Sequence, residues 1–131
     1  MVSTGDSTPG KRILIVDDDP SIRYMLSRVL MDEGYEALSA ANGREGLETA
    51  AAQGVDLVLL DLKMPGLNGQ ETFRELSLLR PSLPVIIMTA YPGQLGEGPL
   101  TGVGALLQKP LDFPKLLEVI RKLLSQAAAS M

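Results

Sequence analysis

The sequence predicts an α/β domain, an open parallel sheet of five strands wound by helices on both faces. Three observations carry that expectation. Short β-branched and leucine runs alternate with longer stretches whose apolar residues recur at helical spacing. The runs are apolar on consecutive residues, as strands buried on both faces are. Four of the five stop at a carboxylate, hydroxyl or ammonium residue.

Ile13-Leu14-Ile15-Val16 is the first strand, ending at Asp17-Asp18-Asp19-Pro20. Asp19 can cap a helix begun by Pro20, because proline at the first position gives up only an N–H that would lack a helical partner. Ile22, Met25, Leu26, Val29 and Leu30 keep helical spacing until Gly34. Glu36–Ala40 reads as the second strand and Arg44–Ala52 as a short helix with Leu47, Ala50 and Ala51 inward. Leu57-Val58-Leu59-Leu60 is the third strand, running into Asp61, and Lys63 to Gly69 must be a loop. The next helix carries Phe73, Leu76 and Leu79 and ends before Pro81. Val85-Ile86-Ile87-Met88 is the fourth strand, ending at Thr89, and Ala105-Leu106-Leu107 is the fifth, ending at Lys109-Pro110. A final helix, Phe113 to Ser125, shows Leu116, Leu117, Ile120, Leu123 and Leu124 on one face.

The crossover between the fourth and fifth strands breaks the pattern. Seven of the fifteen residues from Ala90 to Gly104 are Gly or Pro. Placing Gly96, Gly98 and Pro99 in one helix would cost roughly 5 kcal/mol relative to alanine. A short or irregular fourth helix is therefore expected there.

With 131 residues, 45% of them apolar, the chain can bury one core and no second domain. Residues 1–10 read as a disordered lead-in, 11–126 as the folded domain and 127–131 as a disordered tail. The first ten residues lack the basic start and apolar centre of a signal peptide, and no apolar run approaches bilayer length. Cys is absent, which excludes disulfides and thiolate chemistry and fits a cytoplasmic setting. His is absent too, so there is no Ser-His-Asp triad, and any metal must be held by oxygen. A net charge of −4 is the wrong sign for direct nucleic-acid binding, and no membrane partner is expected.

In an open parallel sheet, ligands bind beyond the carboxyl ends of the strands. That edge collects Asp17 and Asp18 from the first strand, Asp61 from the third, Thr89 from the fourth and Lys109 from the fifth. Asp19 reads as no more than the helix cap, and Thr89 or Lys109 alone would be unremarkable; their coincidence at successive strand ends is the signal. Three carboxylates in one crevice repel, and a divalent cation resolves the conflict. Oxygen ligands favour Mg²⁺, or Mn²⁺ in its place. A carboxylate beside a cation, a hydroxyl and a lysine suits phosphoryl transfer. Asp61 would be the nucleophile, with Lys109 and the cation on the phosphoryl oxygens and Thr89 donating to one of them.

The motifs Ile-Val-Asp17-Asp18-Asp19-Pro20, Leu-Leu-Asp61-Leu-Lys-Met-Pro-Gly-Leu-Asn-Gly69, Met-Thr89-Ala90 and Gln-Lys109-Pro110, in that order, resemble the receiver domain of bacterial two-component response regulators. The resemblance covers Arg12 to Ser125, within a receiver domain of residues 11–126, and implies a (βα)₅ flavodoxin-like fold. It implies that Asp61 accepts a phosphoryl group from a sensor histidine kinase or a phosphotransfer protein. Asp18, Asp61 and the backbone carbonyl of Lys63 would ligate Mg²⁺, Asp17 would act through a bound water, and Ala90 would stand with Thr89 and Lys109 in the phosphoryl-binding switch. It also implies a cis peptide at Lys109-Pro110. Two departures stand out. Leu106 occupies the position three before Lys109 where the family usually carries an aromatic switch residue, and the stretch from Thr89 to Lys109 is shorter than usual.

The function expected is a phosphoacceptor switch in a phosphorelay, acting by a population shift around Thr89 and the loop beyond it. It is not an enzyme beyond assisting its own phosphorylation and slow dephosphorylation. The output would be an unknown protein or an output domain missing from this sequence. Two alternatives stand beside it. A small Mg-dependent phosphohydrolase would want a second carboxylate two residues after Asp61, where Lys63 stands. A constitutive docking module with a vestigial acidic pocket would suit Leu106 and the glycine-rich segment.

Overall fold

The computed structural model describes residues 10–62, 69–90 and 104–129. In chain order it contains β1 (Arg12–Val16), α1 (Pro20–Asp32), β2 (Glu36–Ala40), α2 (Gly43–Ala52), β3 (Leu57–Asp61), α3 (Gly69–Leu79), β4 (Val85–Thr89), β5 (Ala105–Gln108) and α4 (Phe113–Ala129). The five strands form one parallel sheet in the order β2-β1-β3-β4-β5. Because the order reverses between β1 and β3, a crevice opens at their carboxyl ends.

The sheet is buried on both sides, and the pleat sorts its residues between two cores. Leu14, Val16, Val58, Leu60, Val85 and Ile87 pack with Ala50 of α2 and with Phe73 and Leu76 of α3. Ile13, Ile15, Leu57, Leu59, Ile86 and Met88 pack with Leu26 and Leu30 of α1 and with Leu116, Ile120 and Leu124 of α4. The consecutive apolar runs of β1, β3 and β4 are thus required by a sheet with helices on both faces.

Asp19 caps α1 as expected, its Oδ1 accepting from Ser21 N at 2.8 Å. Asn42 does the same for α2, accepting from Glu45 N at 2.9 Å, while Glu45 Oε1 reaches back to Ala41 N. One inward assignment needs correction: Ala51 is exposed. Met25 and Leu79, which keep helical spacing in α1 and α3, are exposed as well. In α2 the buried positions are Gly43, Gly46 and Ala50, because the helix lies so close to β1 that a methyl group at Gly46 would come within 2.9 Å of Val16 Cγ2. Leu79 is the last residue of α3, whereas Phe73 and Leu76 of the same helix lie in the core. The final helix also runs past the predicted Ser125 to Ala129, so residues 127–129 of the expected tail are helical; an alanine run is the strongest of helix formers and needs no packing signal. The crossover residues 91–103, with the short or irregular helix expected of them, lie outside the described residues.

A candidate phosphoacceptor site

Four strand ends meet at the crevice. Ladder bonds hold each end beyond its last apolar residue: Asp17 N donates to Ala40 O at 3.2 Å, Leu62 N to Met88 O at 3.0 Å and Lys109 N to Thr89 O at 2.8 Å. Carboxylate oxygens of Asp17, Asp18 and Asp61 lie within 4.8 Å of one another. Asp17 is 1% exposed and Asp61 4%, whereas Asp18 faces solvent. Burying two carboxylates requires compensation, and Lys109 provides part of it. Its Nζ lies 3.2 Å from Asp17 Oδ2 and 3.5 Å from Asp61 Oδ1.

Thr89 closes β4, 5% exposed, in register with Gln108 of β5. Ala90 follows it at the surface. Leu106 pairs in register with Ile87 and is 41% exposed, so the family's aromatic position carries a solvent-facing aliphatic residue. The Lys109-Pro110 peptide is cis. Lys63, whose carbonyl the family pattern would make a ligand, lies outside the described residues.

The donor set fits a hard cation. It consists of carboxylate oxygens, two of them buried, with net charge left over after one lysine, and neither thiolate nor imidazole occurs in the chain. Nearby contacts were not legible from the motifs. Asp19 N donates to Asp17 Oδ1 at 2.9 Å, and Arg23 Nη1 donates to Asp17 O at 2.7 Å. Gly69 N donates to Leu62 O at 3.0 Å, bringing the start of α3 directly onto the end of β3. Arg23 at helical spacing from the aspartates was the available signal, but a surface arginine on α1 has the same spacing.

Comparison with known proteins agrees with this geometry. A family model described as the response regulator receiver domain matches residues 13–121. Sporulation initiation phosphotransferase F of Bacillus subtilis (strain 168) is 38% identical over 117 residues, which are 87% of this chain and 94% of that protein. Transcriptional regulatory protein GlrR of Escherichia coli (strain K12) is 38% identical over 119 residues, but the chain spans only 27% of its length. Among solved structures, a CheY-like response regulator receiver domain protein from Methanospirillum hungatei JF-1 has a TM-score of 0.85 at 33% identity, covering 93% of this chain and 99% of that one. Response regulator TrrA of Thermotoga maritima, solved in complex with Mg²⁺-BeF, has a TM-score of 0.77 at 37% identity and covers 86% of this chain and 98% of its own. Sheet order, acidic crevice and relatives all lead to one assignment: this chain belongs to the response regulator receiver domain family.

Proposed function

We propose that this receiver domain switches state by accepting a phosphoryl group on Asp61. The observation that carries the reading is the convergence of Asp61 with Asp17, Asp18 and Lys109 at the point where strand order reverses. An Asp61 oxygen attacks phosphorus and forms the new O–P bond. The P–N bond of a donor phosphohistidine breaks, and the imidazole keeps its electron pair. Lys109 Nζ turns from the carboxylates toward a phosphoryl oxygen, and the Thr89 hydroxyl donates to another. Asp17, Asp18 and Asp61 would hold Mg²⁺ or Mn²⁺, Asp17 through water, with the Lys63 carbonyl as a further ligand. The cation, when bound, offsets the charge of the phosphoryl oxygens.

Donors of two kinds fit. TrrA has been solved in complex with the histidine kinase ThkA, which supports a histidine kinase or a phosphotransfer protein as the partner here. Such a partner must bury surface beside the crevice. Ile22, Met25 and Leu26 of α1 with Pro110, Leu111 and Phe113 line an apolar groove of about 300 Å³ that reaches Lys109. None of the described helices is long and apolar enough to cross a membrane, and a cytoplasmic kinase module is the donor this reading requires. Chemistry on the chain itself is limited to its own phosphorylation and slow dephosphorylation. A further protein, or an output unit joined to the receiver in a longer polypeptide, reads the change around Thr89 and the loop beyond it.

Incubation with Mg²⁺ and acetyl phosphate, followed by intact mass measurement, tests the reading. One phosphate adduct is expected on the wild-type chain and none on Asp61→Asn. An adduct that survives Asp61→Asn, or none on wild type with neither acetyl phosphate nor a beryllium fluoride complex, overturns it and leaves the docking-module alternative.

A further inference from the structure

Arg23 is tied to both ends of the loop that carries Asp18. Its backbone N donates to Asp19 O at 3.1 Å as the first turn of α1 closes. Its guanidinium reaches back the other way, Nη1 donating to Asp17 O at 2.7 Å. Asp17 is otherwise held by its own N on Ala40 O, and by Asp19 N and Lys109 Nζ on its carboxylate. Asp18 has none of that enclosure: it lies at the surface between two residues whose carbonyls both accept from Arg23. Its carboxylate nevertheless sits within the cluster. A solvent-facing ligand on a three-residue loop stays in place only if the loop backbone is fixed, and otherwise its ordering is charged against cation binding.

We infer that Arg23 is a positioning residue for the divalent-cation site, fixing the 17–19 loop so that Asp18 meets Asp17 and Asp61 in ligating geometry. The inference rests on the functional reading above. It also opposes simple electrostatics. A guanidinium near a cation site repels the cation, so an arginine acting only through charge would weaken Mg²⁺ binding, and its removal would tighten it. An arginine acting through its hydrogen bond has the opposite sign: removal loosens the loop and weakens binding.

The test is calorimetric Mg²⁺ titration of the full chain as wild type, Arg23→Lys and Arg23→Met, with thermal unfolding in EDTA alongside. Loss of a residue that orients metal ligands typically costs ten- to a hundredfold in affinity, so Arg23→Met is expected to raise the Mg²⁺ Kd by roughly tenfold or more. Arg23→Lys, which keeps the charge and one donor, is expected in between, and the metal-free unfolding temperatures should stay close together. Tighter or unchanged binding in Arg23→Met overturns the inference. So does failure of that variant to fold without metal, which would make Arg23 a residue of general stability. A wild-type chain that binds no Mg²⁺ would overturn the functional reading itself and the inference with it, whereas unchanged affinity beside a binding wild type overturns the inference alone.

Discussion

Lys109 Nζ lies 3.2 Å from Asp17 Oδ2, although 92 residues separate the two. The contact joins the end of β5 to the end of β1 across two intervening strands, since β3 and β4 stand between them in the sheet. One flexible ammonium thereby partners two buried carboxylates, Asp17 and Asp61. Lys109 thus supplies positive charge to the acidic cluster, and under the proposed function the same ammonium would turn to a phosphoryl oxygen once Asp61 is phosphorylated.

Lys109→Met should separate those roles. Removing one member of a buried ion pair leaves uncompensated charge and costs about 3 kcal/mol. In EDTA the variant should therefore unfold at markedly lower temperature than wild type. Added Mg²⁺ should recover part of the difference, because a cation that binds only the folded state stabilises it. Adduct formation from acetyl phosphate at saturating Mg²⁺ should slow by roughly a hundredfold, the usual effect of losing one preorganised donor. An unchanged rate would remove Lys109 from the phosphoryl site.

Most of this site was legible in the sequence because it is built from strand ends. A buried parallel strand announces itself as an apolar run, and the residue after the run is fixed at the carboxyl edge whatever the loops do. That logic put Asp17, Asp61, Thr89 and Lys109 at the carboxyl ends of β1, β3, β4 and β5, where the structure has them. It said nothing of Arg23 or Gly69, whose contributions are a side-chain reach across one helical turn and a close backbone approach; neither leaves a periodic trace. Helix faces were read less well than strands. Met25 and Leu79 fit a 3.6-residue spacing, but spacing cannot say how wide the covered stripe of a helix is, and both are exposed.

Gly69 sets how the end of β3 meets the start of α3. A methyl group there would run into Leu62 Cα and lie 2.5 Å from Leu62 O and 2.7 Å from Asp61 O. All three are backbone atoms, which cannot rotate away as a side chain can. Gly69→Ala must push α3 from β3, at the about 1–3 kcal/mol typical of overpacking. A fall of several degrees in unfolding temperature is expected. Because the displaced carbonyl belongs to Asp61, the acetyl phosphate adduct should also form more slowly than on wild type. A variant of wild-type stability would show that the helix start can yield at no cost.

Met25 separates donor docking from chemistry. Its side chain is 47% exposed on α1, on the wall of the apolar groove that reaches Lys109. Met25→Glu places a charge where a docking surface would have to be desolvated. It should cost the isolated domain little: glutamate is a good helix former, and the new carboxylate stands three residues before Arg28, near enough to pair with it. The change in stability should lie within about 0.5 kcal/mol. Acetyl phosphate, which needs no docking surface, should label the variant at the wild-type rate. Transfer from a phosphorylated histidine kinase that serves the wild-type chain should fall by roughly tenfold, the kinetic equivalent of about 1.4 kcal/mol. Equal loss with both donors would mean that the substitution disturbs the acidic crevice, and no loss with either would place the donor on another face.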